Sequence, residues 1–173
     1  MWLKMELDGI TVQMQIKNYI KVSDDDWDST WCRTDFSFFS KPWLNYHKDN
    51  DEVFLAREID ELKSALEALL EDRLTEQTEF SCIEPDFCFT LNPKKDLRLD
   101  PRHTYIPQGY EIVDIDMEWR VSFWHDGLTA DYLSVTLDRE NIEYLLNYLK
   151  WITGESTSED ESISRMLQAR IMY

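Results

Sequence analysis

Only 4 glycines and 5 prolines punctuate this chain of 173 residues, so connections are expected to be short and most of the chain to sit in regular elements. Long hydrophobic runs are missing as well. Charge interrupts the apolar stretches every few residues, and none approaches the roughly 18 residues that a membrane-spanning helix needs. Cysteine is scarce: Cys32, Cys82 and Cys88 form an odd set without a CxxC pair, which argues against a disulfide framework and a structural zinc site and leaves buried free thiols. Positive charge is in short supply, with 18 Lys+Arg against 35 Asp+Glu and a net charge of -17. Phosphate recognition and anionic membrane surfaces require the opposite sign, so neither nucleic acid nor a membrane is an expected partner. The opening Met1 to Glu6 alternates like a strand and lacks the basic and apolar regions of a signal peptide, which makes the cytoplasm the expected location.

What is present is core-forming material. Hydrophobic residues at 43% and aromatics at 13% suffice for one domain, expected over 1–154, followed by an acidic tail over 155–173 that can form a short helix. Leu3, Met5 and Leu7, then Ile10, Val12, Met14 and Ile16, alternate with polar residues on either side of Asp8-Gly9. A two-residue Asp-Gly turn supplies the positive φ angles of a tight hairpin and sets Leu7 opposite Ile10 and Met5 opposite Val12. Trp31 to Phe39 reads as an aromatic-rich strand, and Ser40 to Glu52 reads as an exposed loop. Val53 to Ala56 is a short strand leading into a helix with its apolar stripe at Leu62, Leu66, Leu69 and Leu70, with Asp60 placed as the cap and an end near Arg73.

Phe80 to Leu91 looks extended, bent at Glu84-Pro85, and Lys94 to Gly109 is a polar connection. Val113, Ile115, Met117, Trp119, Val121 and Phe123 share one strand face, and Leu133, Val135 and Leu137 share one face of the partner strand. Parity selects the turn between them. A two-residue loop at Asp126-Gly127 puts the partner's apolar residues on the wrong face, whereas a three-residue loop of His125, Asp126 and Gly127 sets Trp119 opposite Leu133. Asp138 then caps a second helix that buries Ile142, Leu145, Leu146, Leu149 and Ile152 and stops at Gly154. These elements predict an α+β fold: a mainly antiparallel curved sheet, or a sandwich of hairpins, with two principal helices packed on it.

Local catalytic signatures are absent: no GxSxG elbow, no phosphate-cradling glycine loop and no HExxH pair. His47, His103 and His125 fall in three separate polar segments. No cofactor is expected. Asp24, Asp25, Asp26 and Asp28 make the densest carboxylate cluster, but lack the alternation, central glycine and distant glutamate of an EF-hand. Trp27 and Trp31 stand among them, either as core residues or as interface anchors, since aromatic anchors ringed by charge are common at protein interfaces. Asp114, Asp116 and Glu118 fall on the strand face opposite Ile115, Met117 and Trp119. At about 6.5 to 7 Å between alternate residues they are spaced too widely to chelate one ion, so they form either a solvent face or a patch complementary to a basic partner. Both acidic sets are the candidate partner-binding residues.

Trp27-Asp28-Ser29-Thr30-Trp31 resembles the WD-x-x-W feature near the start of WapI-like bacterial immunity proteins. A leucine-rich helix at Leu62 to Leu70, the Ile83-Glu84-Pro85-Asp86-Phe87-Cys88-Phe89 run, and a strand pair ending in Leu133 to Leu137 before the helix at Ile142 to Leu149 follow in similar order. The resemblance spans roughly Ile10 to Gly154 and implies a cytosolic antidote that binds the toxic C-terminal domain of a polymorphic toxin, often a nuclease. That implication agrees with the charge balance, because nucleases tend to be basic. The alternatives are a non-enzymatic regulatory or scaffold module, and a hydrolase assembled from dispersed carboxylates and histidines. No feature of the sequence specifies an oligomeric state.

Overall fold

The hairpin forms where side-chain alternation and turn chemistry agree. In the computed structural model, which describes residues 1–21 and 30–173, strands β1 (Leu3–Leu7) and β2 (Ile10–Lys17) pair antiparallel with Leu7 opposite Ile10 and Met5 opposite Val12. Asp8 and Gly9 both take positive φ, 50° and 82°, as a tight primed turn requires. Strand β3 (Trp31–Ser40) adds to β2, and β4 (Leu44–Leu55) adds to β3, giving a four-stranded sheet in the order β1-β2-β3-β4.

The strand β4 corrects the expectation of a loop over Ser40 to Glu52. Its charges hid it. Leu44 and Tyr46 turn inward, while the polar run that follows lies on an edge strand, where charge is tolerated and discourages further pairing. The ladder with β3 is broken between Thr34 and Phe36, and Asn50 takes φ 56° with its N–H donating to the Asp35 carboxylate at 2.7 Å.

Helix α1 (Ala56–Leu70) buries Ile59, Leu62, Leu66 and Leu69. It begins four residues before Asp60, so that residue is not the cap. The carboxylate of Glu58 takes the role from within the first turn, accepting the Leu55 N–H at 2.8 Å. Asp60 instead accepts the Tyr19 hydroxyl at 2.8 Å and the Lys63 ammonium at 3.0 Å. The helix also stops short of Arg73, as Asp72 turns to φ 54°.

A second sheet follows in the order β10-β9-β6-β5, built from β5 (Thr78–Ser81), β6 (Phe87–Asn92), β9 (Asp116–Trp124) and β10 (Leu128–Leu137). Between β6 and β9 the chain makes an excursion: β7 (Lys95–Asp96), a 3-10 turn over Leu97–Leu99, and β8 (Ile112–Val113), which pairs with β7. Val113 therefore belongs to this small ribbon and is exposed, whereas Ile115, Met117, Trp119 and Val121 are buried as their phase requires. The β9–β10 loop is His125, Asp126 and Gly127, but Trp119 lies opposite Val135 instead of Leu133. An irregularity between Leu128 and Tyr132 adds two residues to β10 there, held by the Thr129 hydroxyl donating to the Phe123 carbonyl at 2.8 Å and accepting from the Asp131 N–H at 3.2 Å. A shift of two keeps the side-chain phase, so both apolar faces still point inward.

The two sheets meet through rings. Phe36 and Phe38 on β3 and Phe54 on β4 contact Phe87 on β6 and Trp119 on β9, with centroid separations of 4.9 Å for Phe36–Phe87 and 5.4 Å for Phe38–Trp119. Helix α2 (Arg139–Ile152), capped by Asp138 through the Asn141 N–H at 2.9 Å, packs on α1 and against β1, β9 and β10. Gly154 ends it at φ 77°. Helix α3 (Glu161–Gln168) buries Ile163 and Met166, and the chain then pairs with β1, Lys4 N–H donating to Ile171 at 2.7 Å and Trp2 N–H to Tyr173 at 2.8 Å. The free edge of β1 is thereby covered. The structure is thus α+β with antiparallel sheets. Cys32, Cys82 and Cys88 are free and buried, and burial pushes the Cys32 thiol up to about 12.

Candidate protein-binding surface

Alternation along β9 determines which carboxylates reach its outer face. With Met117 and Trp119 fully buried, Glu118 and Arg120 are turned out, and Asp116 lies half-buried at the strand's start. Register with the neighbours sets Glu118 between Thr90 of β6 and Thr136 of β10, and Arg120 between Cys88 and Ser134. Each predicted acid on this face has a local partner. Asp116 accepts the Asn92 amide at 2.7 Å, Glu118 accepts the Ser134 hydroxyl, and Arg120 stacks over Tyr132 at 5.5 Å.

Asp114 lies just before β9 and meets the start of α2. The Arg139 guanidinium grips it bidentately at 2.8 and 3.1 Å, and also reaches the Leu70 carbonyl at the end of α1 at 3.3 Å. Those contacts, with a further N–H from Ile115, hold the Asp114 carboxyl at about 2, below the usual carboxylate range. Asp138, Glu140 and Glu143 line the same shallow groove, of about 380 Å³, so four carboxylates and one guanidinium share its lining. Sequence reasoning missed those three because the chain separates them from Asp114 and only the packing of α2 against β9 brings them together. The sole available signal was the helix start after Asp138, which predicts acid in a first turn for reasons of its own.

The other predicted residues are placed apart from this face. Trp31 begins β3 in the first sheet, half-buried, paired with Leu55 at the start of α1. Asp24, Asp25, Asp26, Trp27 and Asp28 lie outside the described residues. His47 on β4, His103 in the excursion and His125 in the β9–β10 turn sit on three separate elements, all exposed.

A second polar hollow lies beside β4. Lys48 is shared by Asp86 at 2.7 Å and Asp51 at 2.7 Å and sits over the Trp124 ring at 4.7 Å. Burial pushes the Asp86 carboxyl up against the pull of Lys48, while the two carboxylates together hold the Lys48 pKa above its usual value despite its own burial. The buried acid is thus the weaker partner of one shared ammonium, and the arrangement anchors the β5–β6 turn to β4. Among the described residues no group of three or more His, Cys, Asp or Glu is placed to hold a metal ion, and no helix is long and apolar enough to cross a membrane.

The outer face of β9 and the groove beside it are shallow and charged, over an aromatic core. The chain belongs to the immunity protein WapI-like family, whose profile matches residues 3–154. The match includes the WD-x-x-W run and both leucine-rich helices, and it extends over the N-terminal hairpin. Immunity proteins are inhibitors that neutralise toxins. No curated protein and no solved structure matches the chain.

Proposed function

We propose that this protein is a cytoplasmic antidote that binds a basic toxin domain, a nuclease, and blocks it with an acidic surface. The family supports toxin neutralisation. The observation that carries the choice of a basic partner is the charge balance, 35 acidic against 18 basic residues, with four carboxylates concentrated on the groove between β9 and α2. An acidic inhibitor competes for the phosphate-binding surface of a basic nuclease and is steered to it by long-range attraction. The contact residues in this reading are Asp24, Asp25, Asp26, Trp27, Asp28 and Trp31 together with Asp114, Asp116 and Glu118.

The test is titration calorimetry against the cognate toxin domain. Replacing Asp24, Asp25, Asp26 and Asp28 by lysine, and separately Glu118→Lys, should weaken binding at least tenfold while circular dichroism stays unchanged. Replacing His47, His103 and His125 by alanine should leave affinity within about twofold, since exposed substitutions away from a contact change little. Full affinity in both sets of folded lysine variants removes the acidic-surface reading.

A further inference from the structure

The excursion between β6 and β9 contributes nothing to the core: no residue between Leu91 and Ile115 belongs to the buried hydrophobic cluster. Its large apolar side chains point outward instead. Leu99 is 82% exposed, Tyr105 81% and Tyr110 70%, and Ile112 and Val113 are exposed beside them in β8. Long connections without a packing role in a compact domain are where binding function concentrates. Its charge also differs from the rest of the molecule. Four basic residues stand against three acidic ones across 94–113, within a chain of net charge -17.

Local bonds hold this ledge in shape without a core. Leu97 N–H donates to the Glu111 carbonyl at 2.8 Å beside the β7–β8 ladder, and Asp96 and Asp100 each accept the backbone N–H and the guanidinium of the arginine two residues on. Tyrosine and leucine displayed on a pre-ordered, internally neutralised frame form a low-entropy anchor. The ledge runs directly into Asp114 and the carboxylate groove at the start of α2.

We infer that Leu99, Tyr105 and Tyr110 are the desolvated anchor by which this protein seats on its partner, inserting into an apolar recess rimmed by basic residues. This inference rests on the toxin-neutralising reading. Charge complementarity selects the occupant: the exposed Ile112 and Val113 lead straight into Asp114 and its mainly acidic groove, so the matching surface is an apolar recess with a cationic border. The acidic residues attract the partner, and the ledge retains it.

The 173-residue protein carrying Leu99→Ala, Tyr105→Ala or Tyr110→Ala should bind the cognate toxin domain about thirtyfold more weakly, chiefly through faster dissociation. Thermal unfolding should stay within about 2 °C of the parent, since exposed changes cost little stability. Trp43→Ala, an equally conspicuous exposed aromatic at 64%, should bind within twofold. If the parent binds tightly and all three ledge variants bind within twofold of it, the inference is wrong while toxin neutralisation stands. If the parent itself does not bind, the functional reading fails and takes the inference with it. Sedimentation of the parent alone addresses the other occupant: a dimer that the ledge variants dissolve assigns the surface to a second copy of this chain and overturns the proposal.

Discussion

At the scale of single residues, the carboxylates divide by what they touch. Asp114 is exposed yet fully engaged, and its bidentate contact with Arg139 ties the start of β9 to the start of α2 and the end of α1. Arg139 holds its carboxyl at about 2, against an unfolded value near 3.9. A depressed folded pKa means that the ion pair contributes its full stability above pH ~4 and loses it as pH falls toward ~2. Exposure to solvent screens the pair, so that contribution should stay under about 1 kcal/mol. A carbon-detected NMR titration should place the Asp114 midpoint near 2, and Arg139→Met should return it toward the ordinary carboxylate range. A midpoint near 4 in the parent protein would show that Arg139 does not hold Asp114 in solution. Trp119 poses the opposite case. It is fully buried among Phe38, Phe87 and Phe89, and among the described residues its indole N–H has no acceptor, so its side chain is held by ring packing.

At the scale of elements, Glu58 is the joint between the helical and sheet layers. Only 3% exposed, it accepts the Leu55 N–H at the start of α1 and the Ile83 N–H in the β5–β6 turn, at 2.8 and 2.7 Å. Glu58→Ala leaves two backbone donors without their acceptor, one of them a helix cap. Urea unfolding should therefore show a loss of about 2 to 4 kcal/mol, larger than a cap alone provides. A loss under 1 kcal/mol would mean that water replaces the carboxylate at both donors. This joint was not legible in the sequence, which pointed to Asp60 as the cap. The β-region start at Leu55 carries no capping side chain, so the usual signal was missing. Elements whose turn and periodicity agree were legible, down to the Leu7–Ile10 pairing and the Asp138 cap. The β9–β10 hairpin was legible in phase but not in register, because the two-residue irregularity at Thr129 to Asp131 leaves alternation intact. Strand β4 was hidden because an edge strand with a bulged, charged run looks like a loop when read alone.

At the scale of the whole molecule, the acidic character was legible from composition, but its concentration was not. Asp138, Glu140 and Glu143 join Asp114 only through the packing of α2 against β9, and no spacing along the chain encodes that meeting. The ledge of Leu99, Tyr105 and Tyr110 was equally hidden, since isolated apolar residues among prolines and charges carry no period. Charge and ledge should govern different rate constants. Attraction between a net charge of -17 and a basic domain acts before contact, over distances that salt screens to about 8 Å at physiological ionic strength and about 3 Å at 1 M. Apolar contacts made after docking are not screened. Stopped-flow mixing with the toxin domain should therefore show an association rate near 10⁸ M⁻¹s⁻¹ at low salt, falling roughly tenfold or more by about 0.5 M salt, with dissociation changed by less than about threefold. Leu99→Ala should reverse the pattern, preserving association and its salt dependence while raising dissociation. An association rate that does not change with salt would show that the net charge does not steer the encounter, while leaving binding itself in place.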